Sequence, residues 1–230
     1  MYWGTVTYVS KYTLSGNRPI GVLGGTFDPV HHGHLRPALE LLEDLDLAEV
    51  RFVPCRIPAH RGEPRAGAGQ RARMLEAAIA RQAGFVLDRR ELGRDGPSYT
   101  VDTLASLRRE FPEQALCLIL GQDAFASLDT WHRWREIPRL AHLLVLERPG
   151  YSPDLPPTLA ALLENRRLRE ARELRETLAG GILLHPVTQL AISATAIRER
   201  LAAGHSVRYL LPDTVQQFID TQGLYDPNRQ

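Results

Sequence analysis

The densest chemical signal in the sequence is Gly24-Gly25-Thr26-Phe27-Asp28-Pro29-Val30-His31-His32-Gly33-His34, which follows a short apolar run and precedes a helical pattern. Glycines at such a turn let the backbone approach a phosphate closely, and the N-terminus of the next helix offers N–H groups and a favourable dipole. His31 and His34 are three apart, so at a helix start they share a face and can reach one anion together. The alternatives are capping or a metal. A zinc ion would need a third or fourth protein ligand, and neither Cys55 nor Cys117 is near in sequence. Phosphate binding is the preferred reading, with no protein-built metal site.

A second cluster is Ile192-Ser193-Ala194-Thr195-Ala196-Ile197-Arg198. Ser193 has the character of an N-cap, and side chains on a helix lean toward its N-terminus. Arg198 can therefore reach back to an anion held by the first-turn N–H groups and the Ser193 and Thr195 hydroxyls. The alternative is an ordinary capped surface helix, which loses weight once the histidine motif stands beside it. His60-Arg61, just past the second strand, can take a second phosphate on the same sheet edge. Asp123, at the end of the fourth strand, could accept ribose hydroxyls, and an indole could stack on a heteroaromatic ring. The residues alone leave Trp131 and Trp134 undecided. Gly67-Ala68-Gly69-Gln70-Arg71-Ala72 matches a dinucleotide fingerprint, yet a polar loop precedes it where the fold needs a strand.

These residues need elements to hold them. Apolar segments at Ile20–Leu23, Val50–Val53, Phe85–Leu87, Leu116–Leu120, Leu143–Leu146 and Ile182–Leu184 read as buried strands. Between them, 35–47, 70–82, 100–111 and 158–178 show helical spacing, with 165–176 reading as a solvated helix laced with internal ion pairs. Repeated strand-helix units predict an α/β fold, a doubly wound parallel sheet with a C-terminal helical end. Residues 62–69 and 151–157 read as loops. Residues 1–19 read as a poorly ordered extension, and 20–230 as one domain.

Composition narrows the function. The chain has 230 residues, 43% apolar and 24% charged, with 28 Lys+Arg against 27 Asp+Glu and a formal charge of +1. That balance argues against nucleic acid as the main partner. Lys11 is the only lysine, so P-loop, kinase-type and Schiff-base lysine chemistry are excluded beyond it. Any phosphate must be held by Arg, His, hydroxyls or backbone N–H. Two distant cysteines and the lack of a membrane-length apolar run favour a cytoplasmic protein without membrane attachment. The oligomeric state stays open, a homo-oligomer included.

Taken together, the motifs closely resemble the bacterial nicotinate-nucleotide adenylyltransferases, within the wider nucleotidyltransferase superfamily that shares H-x-G-H and a Rossmann-like fold. The likeness runs from Ile20 to about Tyr225. Pro97-Ser98-Tyr99-Thr100, Gly121-Gln122-Asp123, Thr130-Trp131, Arg148-Pro149-Gly150-Tyr151 and Leu211-Pro212-Asp213 carry the narrower assignment. The resemblance implies ATP and nicotinate mononucleotide as substrates. It puts His31, His34 and Arg198 in catalytic roles, with Gly24, Gly25, Thr26, Phe27, Ser193 and Thr195 joining them around ATP. It puts Asp28, His60, Arg61 and Asp123 on the mononucleotide, the pyridine ring on Trp131, and the ring carboxylate at backbone N–H groups near Thr100 and His132. Ala59 stands where the family more often has proline.

The chemistry agrees with the residue types. A nucleotide phosphate has its second pKa near ~6, so it is a dianion at pH 7 and needs no general base. Catalysis then reduces to alignment and to neutralising charge on the phosphate oxygens by imidazolium, Arg, helix N-termini and Mg²⁺, the last arriving on ATP. The rival readings are transfer to nicotinamide mononucleotide or to another phosphate acceptor such as phosphopantetheine, a dinucleotide-dependent redox enzyme, and a non-catalytic nucleotide sensor.

Overall fold

The computed structural model describes residues 18–58, 62–147, 150 and 153–226. In chain order the elements are β1 (Ile20–Gly25), α1 (His32–Asp44), β2 (Glu49–Pro54), α2 (Ala68–Ile79), β3 (Phe85–Leu87), α3 (Thr100–Glu110) and β4 (Leu116–Gly121). They continue with α4 (Gln122–Ala126), α5 (Ile137–Leu140), β5 (His142–Glu147), α6 (Pro157–Arg166), β6 (Ile182–Pro186), α7 (Ala194–Ala202) and α8 (Asp213–Gln222). The six strands form one sheet in the order β3-β2-β1-β4-β5-β6, and every pairing is parallel. The order reverses between β1 and β4, so the crevice beyond their carboxyl ends is where a doubly wound sheet receives ligands.

Alternation along the strands builds a core on each face. Cys117 and Ile119 of β4 join Leu144 and the buried residues of α1, α2, α7 and α8. Leu116, Leu118 and Leu120 face the other way, against Val101, Leu104 and Leu107 of α3 and Ile137 of α5. Each fully buried side chain of this size stabilises the fold by about 1.5–3 kcal/mol. The continuous apolarity of β4 is thus the mark of a strand covered on both sides.

The long helix expected over 158–178 is two pieces. It stops at Arg166, Arg167 bridges to Ile182, and Leu168 donates its N–H to the Ile182 carbonyl at 2.8 Å. β6 is an edge strand with unpaired backbone groups, and pairing with this segment outweighs continued helix. A 3₁₀ turn follows at Ala171–Arg175. Of the expected internal ion pairs, Arg172 with Glu170 forms at 2.8 Å, while Arg175 leaves the segment for Asp46 at 2.7 Å.

The N-terminal boundary also shifts. Arg18 pairs with Asp46 at 2.9 Å, and the Pro19 carbonyl accepts from Ala48 N–H, so both belong to the fold. Residues 1–17 lie outside the described ones. Among the described residues no helix is long and apolar enough to cross a membrane.

At the opposite edge from the crevice, His142 is fully buried. Its Nδ1 accepts from Gly181 N–H at 3.0 Å, so Nε2 carries the proton toward the Thr177 carbonyl at 2.9 Å. Burial lowers its pKa from the ordinary 6.5. The folded state therefore binds fewer protons than the unfolded one as pH drops below that value. Thermal melts should show this contribution intact above pH 6.5, the ordinary value for histidine, and lost progressively below it. His142→Phe should flatten that part of the pH–Tm profile.

Candidate active site

The glycine-histidine loop joins β1 to α1 at the crevice. His31 occupies the N-cap position of the 13-residue α1 in extended backbone, φ −151° and ψ 170°. Its ring stacks on that of His34 with centroids 3.8 Å apart. His31 is 4% exposed, and its Nδ1 is buried without a hydrogen-bond partner among the described residues. Desolvation, followed by the nearby His32, lowers its pKa to about 4. The expected imidazolium is therefore corrected for His31: at neutral pH it is an uncharged imidazole, because water that would solvate the cation is excluded. It can still meet a phosphate as a hydrogen-bond donor beside the helix N-terminus.

Gly24 is exposed, with open space where a Cβ would stand, as close backbone approach to a ligand requires. Phe27, expected around ATP, is instead 2% exposed, with its ring edge-on to His34 at 5.1 Å and against Phe52. The position where a Gly33 Cβ would stand lies 3.0 Å from the His31 ring and 3.2 Å from the Ile192 carbonyl. That glycine admits the ring and brings α1 against the segment leading to α7.

Ser193 caps α7 as expected, its Oγ accepting from Ala196 N–H at 3.1 Å. Arg198 reaches back along the helix to Thr195 Oγ1 at 3.2 Å and donates to the Asp28 backbone carbonyl at 2.6 Å. The two motifs, 170 residues apart in sequence, are thus in direct contact.

Asp28, assigned to the mononucleotide, is 4% exposed and points inward. Its Oδ1 accepts from Ala66 N–H at 3.1 Å and Tyr225 hydroxyl at 2.7 Å, and its Oδ2 from Arg65 N–H at 2.8 Å. With its acceptors turned to the protein, the carboxylate acts as a strut. Tyr225 was missed: a lone tyrosine after a helix cap carries no local signal of such a contact. Arg71, also missed, did leave one. It is a charged residue on the apolar face of α2 shared with Leu75 and Ile79, and it is 1% exposed.

The remaining described residues expected on the acceptor lie at the α3 N-terminus and in the turns after β4. Thr100 opens α3, and the ring of Tyr99, the preceding residue, lies 4.2 Å from that of His132. Asp123 is exposed in the first turn of α4. Trp131 and Trp134 both pack at the edge of the core, but Arg135 covers the Trp134 ring at 4.8 Å. His60 and Arg61 lie outside the described residues, as do Arg148, Pro149 and Tyr151.

A parallel sheet whose crevice joins a glycine-histidine loop to a capped Ser-Thr-Arg helix defines a nucleotidyltransferase. The family model described as cytidylyltransferase-like matches residues 22–200. A Halorhodospira halophila protein named "Probable nicotinate-nucleotide adenylyltransferase" is 53% identical over 208 residues, covering 90% of this chain and 95% of that one. An Aeromonas salmonicida protein of the same name is 49% identical over 207 residues, 90% of this chain and 97% of that one. The chain belongs to the nicotinate-nucleotide adenylyltransferase family. The structure of Plasmodium falciparum nicotinic acid mononucleotide adenylyltransferase complexed with NaAD shares the fold, with a TM-score of 0.68 at 16% identity over 91% of this chain and 98% of that one.

Helix propensity alone would favour alanine over Gly33 by about 1 kcal/mol. The contacts at the His31 ring and the Ile192 carbonyl oppose it. Gly33→Ala should therefore bring no gain in Tm and should weaken binding of a non-hydrolysable ATP analogue about tenfold by calorimetric titration.

Proposed function

We infer that the chain transfers the adenylyl group of ATP to the phosphate of nicotinate mononucleotide, forming nicotinic acid adenine dinucleotide and pyrophosphate in NAD biosynthesis. The observation that carries the site reading is the contact of Arg198 with both Thr195 and the Asp28 carbonyl, which closes the two phosphate motifs into one cradle. A mononucleotide phosphate oxygen attacks the α-phosphorus of ATP in line. The bond from that phosphorus to the bridging oxygen breaks, and its electrons leave on pyrophosphate.

No proton needs to be removed from the nucleophile, already a dianion at pH 7. The chain's work is positional and electrostatic. His31 and the α1 N-terminus receive triphosphate oxygens, with His34 placed one helical turn on to stabilise the charge that develops. Ser193, Thr195 and Arg198 hold the β and γ phosphates that depart together. On the acceptor side, His60 and Arg61 take the mononucleotide phosphate and Asp123 lies near its ribose. Trp131 carries the pyridine ring, since the Trp134 face is occupied by Arg135. The ring carboxylate meets backbone N–H at the start of α3 near Thr100 and His132.

Mg²⁺ arrives on ATP as part of the substrate. The Asp28 carboxylate beside the cradle has both oxygens engaged by protein donors, so it is a poor metal ligand. The setting is the cytoplasm, in keeping with two free cysteines, Cys55 and Cys117.

Pyrophosphate release with MgATP and either nicotinate or nicotinamide mononucleotide tests the acceptor. The expected result is a kcat/KM preference for nicotinate of at least about tenfold, about 1.4 kcal/mol. Equal rates would remove the carboxylate-reading role of the α3 N-terminus, and no pyrophosphate from either would sink the assignment. Separately, His34→Ala should lower kcat about 10²–10³-fold, the cost of one lost transition-state donor. Full turnover in that variant would show that His34 has no such role.

A further inference from the structure

Arg71 is the most buried charged side chain in the described structure, 1% exposed, on the core-facing side of α2. Burying a guanidinium is costly unless its donors are met, and among the described residues it has no ion-pair partner within 4.0 Å. Apart from Cys55 Sγ at 4.0 Å from Nη1, its partners are backbone carbonyls. Nη1 donates to Thr26 at 2.7 Å, in the glycine-histidine loop after β1. Nη2 donates to Cys55 at 2.7 Å and Arg56 at 3.1 Å, just after β2. Nε donates to Ala66 at 3.1 Å, just before α2.

Those carbonyls belong to the two loops that the proposed mechanism must align. Thr26 stands on the ATP loop. Cys55, Arg56 and Ala66 are the two ends of the connection between β2 and α2, which carries His60 and Arg61 in sequence. Asp28 grips the same exit through Arg65 and Ala66 N–H, so residue 66 is held by its N–H from the ATP loop and by its carbonyl from Arg71. Ser98 Oγ accepts from Arg56 N–H at 3.1 Å and secures the entry. A planar fork with donors on three nitrogens can span these carbonyls; an ammonium cannot. An apolar residue would satisfy the face of α2 it shares with Leu75 and Ile79, so core packing does not call for a charge there.

We propose that Arg71 is a positioning residue: its guanidinium staples the ATP loop to both ends of the β2–α2 connection and so sets the in-line alignment of donor and acceptor phosphates. The proposal rests on the adenylyltransferase reading for its kinetic consequence and on geometry alone for the staple. Each substrate keeps its own binding groups when the staple is lost, so alignment suffers before affinity does. A misplacement of about 1 Å costs on the order of 10²-fold in rate.

The test compares Arg71→Lys, which keeps the charge, with wild type and Arg71→Met. For Arg71→Lys the expected result is a kcat lowered about 10–100-fold, with KM for ATP and for nicotinate mononucleotide each within about threefold. Hydrogen–deuterium exchange should rise at least about tenfold across residues 55–67 and remain unchanged in β4 and β5. Wild-type kcat, or exchange that rises evenly over the whole chain, would reduce Arg71 to core packing and overturn the staple. If Arg71→Met fails to fold, the lysine variant still decides. If wild type releases no pyrophosphate, the functional reading fails, and exchange in Arg71→Lys still tests the staple: no local rise across 55–67 overturns it.

Discussion

Four stretches of chain that are far apart in sequence meet at Asp28. The donors are the N–H groups of Arg65 and Ala66 and the hydroxyl of Tyr225, while Arg198 holds the backbone carbonyl of the same residue. A buried carboxylate without partners would be expelled or protonated, and its hydrogen bonds are each worth about 1.5–3 kcal/mol because the acceptor is charged. Burial and the adjoining carboxylate push the Tyr225 hydroxyl far above the usual phenol range, so it stays a donor. The ATP loop, the entry to α2, α7 and the end of the chain are thus located relative to one point. The cradle depends on that arrangement more than on any substrate contact within it.

Arginine does similar work elsewhere. Arg71 at the crevice donates to four backbone carbonyls, and Arg108 at the opposite edge to those of Phe111, Gln114, Leu140 and Leu178. Loops at both ends of a parallel sheet expose carbonyls that cannot pair with one another. A guanidinium satisfies several at once because its donors are fixed in a plane. A chain whose only lysine is Lys11 thus closes its own loop ends with arginine.

The electrostatics of the cradle are local. With a formal charge of +1, the chain has no strong overall field for a triphosphate, and burial holds His31 uncharged at neutral pH before an anion arrives. In the proposed reaction attraction comes from helix N-termini, Arg198 and oriented donors in a partly dry crevice, where hydrogen bonds act more strongly than in water. The stacked His31 and His34 rings fit this account, since an uncharged His31 can lie 3.8 Å from its neighbour without like-charge repulsion.

Much of the molecule was legible in the residues. Six apolar runs became six strands, because a parallel sheet buries both faces and leaves continuous apolarity as its mark. The local geometry of the Ser-Thr-Arg motif was legible because capping and a side chain leaning back along a helix need particular residue types at fixed spacing, and Ser193 and Arg198 behave as that spacing dictates. What the tertiary structure decided was every property that depends on distant neighbours. The break after Arg166 follows from the needs of the β6 edge, and the inward turn of Asp28 from Tyr225. The neutrality of His31 follows from burial, and the role of Arg71 from carbonyls spread over forty residues of chain. Local sequence sets which groups a segment can offer; desolvation and the choice of partner are set by what the rest of the chain brings against it.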